Sequence, residues 1–221
     1  MTGRVTGRVR ARLLPAVPPV LFAVAVAIFG YALFRQLGRI GEAPYPLAAA
    51  LTISYLAWLA AEVPVTFRRP AQQPAEGRTL LPYGLARLAT ATAAVLGPLP
   101  WTGWSPWLAV PVAGYLGGIA LRLTATRTLG RFYSHHVIRR GDHRVVSGGP
   151  YRLVRHPAYA GMLLAHAGFV GFFANPASLT ALLALTAAVL WRIRVEERVM
   201  WTVPGYPEYA RTRARVMPGV W

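Results

Sequence analysis

The sequence predicts an all-α, polytopic membrane protein with about six transmembrane helices, of which the last two form a hairpin. Three observations lead to this fold class. The chain of 221 residues is 55% hydrophobic although its formal net charge is +17. Its apolar residues form long runs, and most of its arginines lie between those runs. Several runs approach or exceed the roughly 20 residues that an α-helix needs to cross a bilayer.

The first four helices follow from three apolar runs. Residues 13–34 and 46–65 are each long enough for one crossing. The next run, 88–121, contains no charged residue and is too long for a single crossing. Residues 97–107 divide it, and their glycine, proline and tryptophan content is typical of a turn at a membrane interface. This run therefore predicts the third and fourth helices.

The last apolar run predicts the helical hairpin. It covers residues 157–191 and contains the turn-forming pair Asn175-Pro176 near its middle.

The first apolar run could also be a signal peptide. However, Arg35 and Arg39 follow this run without a small-residue cleavage site. We therefore expect a retained first helix rather than a cleaved signal peptide.

The placement of the arginines predicts the orientation in the membrane. If the N-terminus is cytoplasmic, the arginines of residues 68–78, of 122–155 and of the C-terminus also lie in the cytoplasm. Only Arg35 and Arg39 then lie outside, as the positive-inside rule requires. We expect an integral protein of a bacterial inner (cytoplasmic) membrane with both termini cytoplasmic. Topology and contact with anionic membrane lipids account for the basic charge, so no nucleic-acid partner is expected.

Four polar or small positions inside the apolar runs have structural interpretations. Gly114 and Gly118 form a small-residue face suited to close helix packing. Glu62, near the cytoplasmic end of the second helix, needs a partner at that depth, and Arg87 is the expected one. His166, inside the fifth helix, is interpreted as a packed contact residue rather than a base.

The composition limits the chemistry. The chain has no cysteine, which excludes disulfides, thiolate nucleophiles and cysteine metal ligands. The three histidines His135, His136 and His143 lie close together in the sequence, but without cysteine ligands we expect no metal site there.

Residues 149–161 read GPYRLVRHPAYAG and place cationic side chains and tyrosines directly before an apolar run. Charged groups are costly inside a bilayer, so this segment belongs at the water interface or around a polar ligand. In this form it resembles the membrane-embedded S-adenosylmethionine methyltransferases, a superfamily that includes isoprenylcysteine carboxyl methyltransferase and the phospholipid N-methyltransferases. The resemblance covers roughly residues 122–221. We therefore divide the chain into N-terminal transmembrane helices, 1–121, and a cofactor-binding methyltransferase core, 122–221.

The resemblance implies a set of residues that bind S-adenosylmethionine. They lie in the quoted motif, in a short extended piece before it and near the end of the sixth helix. One further residue, His136, stands where the family has glutamine. The implied cofactor-binding residues are His136, His143, Arg144, Val145, Val146, Tyr151, His156, Pro157, Ala158, Tyr159, Glu196 and Glu197.

The resemblance also places an arginine one helical turn before a cofactor-binding glutamate. Arg192 and Glu196 keep this i,i+4 spacing and therefore share one helix face. Glu197 follows directly, so either glutamate is a candidate for the cofactor. The implied catalytic residues are Arg192, Tyr159 and His156, and the implied acceptor-binding residues are Arg192 and Arg194.

The implied function is methyl transfer from S-adenosylmethionine to a lipidic or apolar acceptor at the cytoplasmic membrane face. A carboxylate acceptor, as in a prenylcysteine-like substrate, is already ionised at neutral pH and needs orientation rather than a base. A phenolic or amine lipid head must lose a proton, and His156 or Glu196 is then the candidate base. The alternative is a non-catalytic membrane carrier or assembly protein that retains the fold.

Soluble methyltransferases often bind this cofactor at a glycine-rich strand-to-helix loop. In this chain the glycine-rich stretch 114–118 lies in an apolar helix without neighbouring strands. A cofactor pocket must therefore be built from loops and helix ends at the membrane surface.

Overall fold

The computed structural model of the chain describes residues 17–66, 78–130 and 145–219. These residues form an all-helical bundle, and within the described ranges no strand is present. The predicted fold class is thereby confirmed. The α-helices are α1 Val17–Leu37, α2 Tyr45–Thr66, α3 Leu80–Leu96, α4 Ala109–Leu129, α5 Pro157–Phe172, α6 Pro176–Met200 and α7 Tyr206–Arg211, with short 3-10 turns at Pro106–Leu108 and Gly149–Arg152.

Four of the described helices are long and apolar enough to cross a membrane by length and composition, namely α1, α2, α4 and α6. The helices α3 and α5 are apolar but have only 17 and 16 residues. At about 1.5 Å per residue, α5 is about 24 Å long, which is less than the roughly 30 Å of a hydrocarbon core. The count of six crossings stays a prediction.

The helix α3 begins eight residues before the charge-free run that predicted it. This difference has a physical reason, because Arg87 pairs with Glu62 of α2 and does not need to leave the apolar region. The predicted Glu62–Arg87 pair is therefore confirmed, with Nη1 and Oε2 2.7 Å apart. A second arginine that we did not predict, Arg122 of α4, also pairs with Glu62, and Trp58 Nε1 donates a hydrogen bond to the same carboxylate at 2.9 Å.

The predicted break between the last two helices occurs at Asn175. Its side chain accepts a hydrogen bond from the backbone N–H of Ser178, and the Ser178 hydroxyl oxygen accepts one from the backbone N–H of Asn175. This capping box starts α6 with Pro176 in the first turn, where a missing N–H costs nothing. Only residues 173–175 connect α5 to α6. Each helix nevertheless packs more extensively against another neighbour, α5 against α4 and α6 against α3.

Glycine allows α4 and α5 to approach closely, as the Gly114–Gly118 pattern predicted. A Cβ atom on Gly118 would lie 2.6 Å from the carbonyl oxygen of Gly161, and one on Gly161 would lie 2.6 Å from the backbone nitrogen of Arg122. A third glycine, Gly168, continues the contact beside Tyr115. The two backbones are therefore in close contact along residues 161–168 of α5.

The core next to the contact between α4 and α5 is aromatic and contains His166. The hydroxyl of Tyr55 lies 3.1 Å from His166 Nε2, and His166 Nδ1 lies 2.8 Å from the carbonyl oxygen of Met162. Because the carbonyl can only accept, Nδ1 carries the proton and Nε2 accepts from the tyrosine. His166 is fully buried, so its interpretation as a packed contact residue is confirmed. The main core contains side chains from residues that precede and residues that follow position 121 in the sequence. The domain boundary at that position stays a prediction.

Candidate functional site

The candidate site lies where α6 nears its C-terminus and α5 and α3 begin. At its centre is the hydroxyl of Tyr159, in the first turn of α5. This oxygen accepts a hydrogen bond from Arg192 Nε at 2.8 Å and donates one to Glu196 Oε2 at 2.9 Å. Arg192 and Glu196 thus share a helix face, as their spacing predicted, and both contact the same phenolic oxygen.

Arg192 is held in one orientation by neighbours on two other helices. Its side chain is almost fully buried, with 2% exposure. Besides the bond to Tyr159, its Nη1 donates to Thr79 Oγ1 at 2.9 Å, and its guanidinium lies 5.5 Å from the ring centroid of Tyr83. Two hydrogen bonds and a ring face fix the plane of a guanidinium group in a way that one ammonium group cannot reproduce.

Thr79 was not predicted, although its position carries a signal. A threonine directly before a helix usually accepts a hydrogen bond from that helix's first N–H groups. Thr79 precedes α3 but makes no such capping bond, because its hydroxyl oxygen accepts from Arg192 instead. It is also buried, which is unusual for a residue at a helix start.

Glu197 forms a separate ionic cluster beside the first one. Its carboxylate is 3% exposed and is contacted by Arg155 Nη1 at 2.7 Å, His156 Nε2 at 3.2 Å and Arg215 Nε at 2.7 Å. Three donors from two other parts of the chain therefore surround one buried negative charge. His156 is directed towards this glutamate rather than towards Tyr159. Neither Arg155 nor Arg215 was predicted, although Arg155 directly precedes His156 in the quoted motif.

The C-terminal segment fixes the backbone of the motif. The N–H groups of Arg155 and His156 donate to the carbonyl oxygens of Ala214 and Arg215 at 2.9 and 2.8 Å. The Tyr209 hydroxyl donates to the Tyr151 carbonyl oxygen at 2.8 Å. Burial raises the pKa of Tyr209 to about 12, so this hydrogen-bond donor stays protonated at neutral pH.

The other predicted residues fall into three groups. His136, His143 and Arg144 lie outside the described residues. Val145 and Val146 have no helical structure and pack against two small apolar clusters. Tyr151 and Ala158 are buried together in the cluster that Val146 borders, and Pro157 is the first residue of α5. Arg194 is exposed, in contrast to Arg192 two residues earlier, and its role stays a prediction.

The donor set is suited to a zwitterionic ligand with both carboxylate and ammonium groups. Arg155 and Arg215 contact Glu197, and the preceding residue, Glu196, has a half-buried carboxylate that accepts a hydrogen bond from the hydroxyl of Tyr159. Two buried polar atoms close by, Arg155 Nε and the Tyr206 hydroxyl, have no hydrogen-bond partner among the described residues. A metal is a poorer match, since in the part of the chain that the structure describes no three histidine or carboxylate side chains come together to hold one.

The fold and the site define an all-helical membrane protein that collects arginines, carboxylates and a tyrosine at one end of its bundle. Known proteins resemble this chain in sequence and in fold. Residues 110–202 match the sequence model of the isoprenylcysteine carboxyl methyltransferase (ICMT) family. Protein-S-isoprenylcysteine O-methyltransferase B of Arabidopsis thaliana is 38% identical over 112 residues, which cover 47% of this chain and 53% of that protein. The cobalt-zinc-cadmium resistance protein CzcN of Cupriavidus metallidurans is 32% identical over 120 residues, 52% of this chain and 55% of that protein.

A solved structure shares the whole fold. The eukaryotic intramembrane Ras methyltransferase ICMT aligns over 100% of this chain and 88% of its own, with a TM-score of 0.58 and 18% sequence identity. The chain spans about half the length of the curated relatives named above. Residues 110–202, which include the motif at 149–161, therefore resemble the isoprenylcysteine carboxyl methyltransferase family in sequence, and the chain shares the fold of the solved ICMT structure.

Proposed function

We propose that this chain transfers a methyl group from S-adenosylmethionine to a lipidic or apolar acceptor at the cytoplasmic face of a bacterial inner membrane. The observation that carries the proposal is the Tyr159 hydroxyl, shared between Arg192 and Glu196 at the end of an apolar bundle. All three residues lie within the segment that matches the family.

The cofactor supplies a methyl group on a positively charged sulfur, and the protein has to hold it in line with the acceptor. We assign Glu196 to the cofactor rather than Glu197, because the carboxylate of Glu197 is already surrounded by three donors. Glu197 then anchors His156 and the C-terminal segment. The remaining cofactor contacts are proposed from the resemblance, namely His136, His143, Arg144, Val145, Val146, Tyr151, His156, Pro157, Ala158 and Tyr159.

An apolar cleft supports an apolar acceptor. It lies between α1, α2 and α3 and is lined by side chains such as Phe22, Leu59 and Leu80, with Tyr83 among them. The ring of Tyr83 meets that of Tyr159 edge-on, with centroids 6.4 Å apart. A hydrocarbon chain lying in this cleft has its polar head close to Arg192 and Tyr159.

The acceptor chemistry decides which side chains act. A carboxylate acceptor, as in a prenylcysteine-like substrate, would pair with Arg192, and the exposed Arg194 would assist at the surface. A phenolic or amine head would pass its proton to Glu196, directly or through the Tyr159 hydroxyl that already donates to this carboxylate. His156 is the weaker base candidate because its Nε2 donates to Glu197.

Calorimetric titration of the detergent-purified chain with S-adenosylhomocysteine tests the proposal. Glu196→Gln removes the charge but keeps the shape, and we expect the affinity to fall about tenfold or more, as for a lost charge-assisted hydrogen bond. Glu208→Gln is the matched control, because Glu208 is exposed on α7, and it should bind like the wild type. A folded wild-type protein that binds no S-adenosylhomocysteine would instead support the non-catalytic carrier or assembly protein.

A further inference from the structure

A second cavity lies at the end of the bundle opposite the candidate site. It has a volume of about 510 Å³ and lies between the ends of α1 and α3 and the loops that follow them. Its polar lining is concentrated in a short stretch of sequence. The polar side chains of this stretch that line the cavity are Arg35, Gln36, Arg39, Glu42 and Tyr45.

Gln36 is the buried polar group of this cavity. Its side chain is 5% exposed, and its Oε1 has no hydrogen-bond partner among the described residues. An unsatisfied buried acceptor is costly, and native structures usually provide it with a partner. Because Gln36 lines the cavity, a ligand that carries an N–H or O–H donor satisfies this oxygen.

The charges of the cavity favour an anion beside that donor. Arg39 is neutralised by Glu42, whose two carboxylate oxygens accept from its Nε at 3.1 and 3.0 Å. The Arg39 guanidinium also lies 4.2 Å from the ring centroid of Tyr45. Arg35 donates from Nη1 to the carbonyl oxygen of Leu96 at 3.2 Å, and no carboxylate in the described ranges pairs with it. One positive charge is therefore left uncompensated at the cavity.

The surroundings of the cavity are those of a membrane interface. Phe34 is 76% exposed beside Arg35, and Leu37 is 50% exposed beside Gln36. Trp104 and Trp107, on the loop after α3, are also largely exposed, and tryptophan is enriched where membrane meets water. Exposed apolar side chains next to a polar cavity fit a ligand that has hydrocarbon chains and a polar head.

We propose that this cavity binds the headgroup of a membrane glycerophospholipid, with the phosphate at Arg35 and an N–H or O–H donor of the headgroup at Gln36 Oε1. Phosphatidylethanolamine and phosphatidylglycerol carry such a donor, whereas phosphatidylcholine does not. The same phosphate-plus-donor chemistry is present in free phosphoethanolamine, which lacks the acyl chains that Phe34 and Leu37 would contact. The site is independent of methyl transfer and does not rest on it.

Native mass spectrometry of the full chain tests this proposal after reconstitution with equal amounts of the three lipids, matched in their acyl chains. We expect phosphatidylethanolamine or phosphatidylglycerol to be retained about tenfold over phosphatidylcholine, the effect of about one hydrogen bond. Gln36→Met keeps the length of the side chain and removes the acceptor, so this ratio should fall to within about twofold of one. Arg35→Gln should lower the retention of all three lipids, while Arg211→Gln, an exposed arginine at the other end, should not.

Three results overturn the proposal. Equal retention of the three lipids by the wild-type chain does so without any variant. If Gln36→Met keeps the wild-type ratio of retained lipids, Gln36 Oε1 is not the acceptor of the headgroup. Displacement of the retained lipid by free phosphoethanolamine at a similar concentration makes the ligand a soluble phosphate and excludes the lipid. Because Gln36→Met removes an acceptor that has no partner among the described residues, the variant should unfold close to the wild-type temperature in the absence of added lipid.

Discussion

Arg122 Nη1 donates a hydrogen bond to the carbonyl oxygen of Ala158, and the two atoms are 3.2 Å apart. Ala158 directly precedes Tyr159, whose hydroxyl is the centre of the candidate site. The same guanidinium also pairs with Glu62, which pairs with Arg87. A buried ionic cluster that joins α2, α3 and α4 therefore supports the backbone on which the candidate site is built.

The first prediction concerns Glu62, which joins two buried arginines. Glu62→Gln leaves Arg87 and Arg122 without their counter-charge, and breaking a buried ion pair in this way costs about 3–5 kcal/mol. We expect the unfolding temperature in detergent to fall by several degrees or more. Glu42→Gln is the control, because Glu42 pairs with Arg39 in an exposed position, and it should leave this temperature unchanged. Equal effects of the two substitutions would contradict a special role for the buried cluster.

The comparison of sequence and structure at this cluster explains what could be predicted. Glu62 and Arg87 are polar residues close to apolar runs, and the cost of isolating either one predicts that they pair. Arg122 directly follows the charge-free run 88–121, so the sequence predicts it to be one of the cytoplasmic arginines of residues 122–155. Only the close contact between α4 and α5 places it against Glu62, and that contact is a property of the tertiary packing.

At the candidate site, too, the sequence predicts local spacing but not the contacts that depend on tertiary packing. The spacing of Arg192 and Glu196 predicts a shared helix face, and the motif predicts Tyr159 near the cofactor. That both side chains contact one phenolic oxygen depends on the rotation of α5 relative to α6. Thr79 and Arg215 lie 113 and 18 residues away from the side chains they contact, and no local pattern indicates either contact.

The second prediction tests the packing of α4 against α5. Gly118→Ala places a Cβ atom 2.6 Å from the carbonyl oxygen of Gly161, so the two helices must move apart. Overpacking of this kind costs about 1–3 kcal/mol. We expect a lower unfolding temperature together with reduced methyl transfer, since Arg122 and Ala158 lie across the same contact.

The neighbouring residue provides the control for this substitution. A Cβ atom on Gly117 would meet nothing within 4 Å, so Gly117→Ala removes a glycine from the same helix turn without a clash. It should keep the wild-type activity and unfold at or above the wild-type temperature, because alanine is the better helix former. If Gly118→Ala behaves like Gly117→Ala, the close approach of α4 and α5 is needed neither for stability nor for activity.

The third prediction concerns the hydroxyl of Tyr159. Tyr159→Phe removes the hydroxyl that contacts both Arg192 and Glu196, while the ring still packs against Tyr83. We expect methyl transfer to fall at least tenfold at a nearly unchanged unfolding temperature, which initial rates and thermal unfolding measure in one preparation. Tyr31→Phe, on the exposed face of α1, should match the wild type. Full activity of Tyr159→Phe would show that this hydroxyl has no role in the reaction.

The fourth prediction is a pH dependence of the C-terminal segment. Burial raises the pKa of Tyr209 to about 12, compared with about 10 for an exposed tyrosine. Above pH 10 the unfolded chain loses this proton while the folded chain keeps it, so the stabilisation is complete below pH 10 and declines as the pH rises towards 12. Tyr209→Phe should therefore lower the unfolding temperature at pH 8 and give a shallower decline between pH 10 and 12. If the unfolding temperature of Tyr209→Phe declines as steeply as that of the wild type between pH 10 and 12, groups other than Tyr209 cause the decline.

The last prediction separates the acceptor chemistries at Arg192. The two hydrogen bonds of its guanidinium, to Tyr159 and Thr79, fix a planar fork that suits a carboxylate. If the acceptor is a carboxylate, Arg192→Lys should lower turnover at least tenfold, because one ammonium group cannot replace the fork. Thr79→Val, which removes one support of the fork, should then raise the KM for the acceptor more than it changes kcat. If the acceptor is a phenol or an amine, Arg192→Lys should keep most of the activity, and the pH–rate profile should report a base near neutrality.

Two measurements decide between these outcomes. Thr90→Val is the control for Thr79→Val, because Thr90 is buried in α3, the helix that Thr79 precedes, and its hydroxyl donates to the carbonyl oxygen of Ala86. The affinity for S-adenosylhomocysteine, measured for each variant in the preparation used for turnover, should stay within about threefold of the wild type, a change of less than 1 kcal/mol. A loss of this affinity in Arg192→Lys alone would contradict both versions, because Arg192 would then hold the cofactor rather than orient the acceptor.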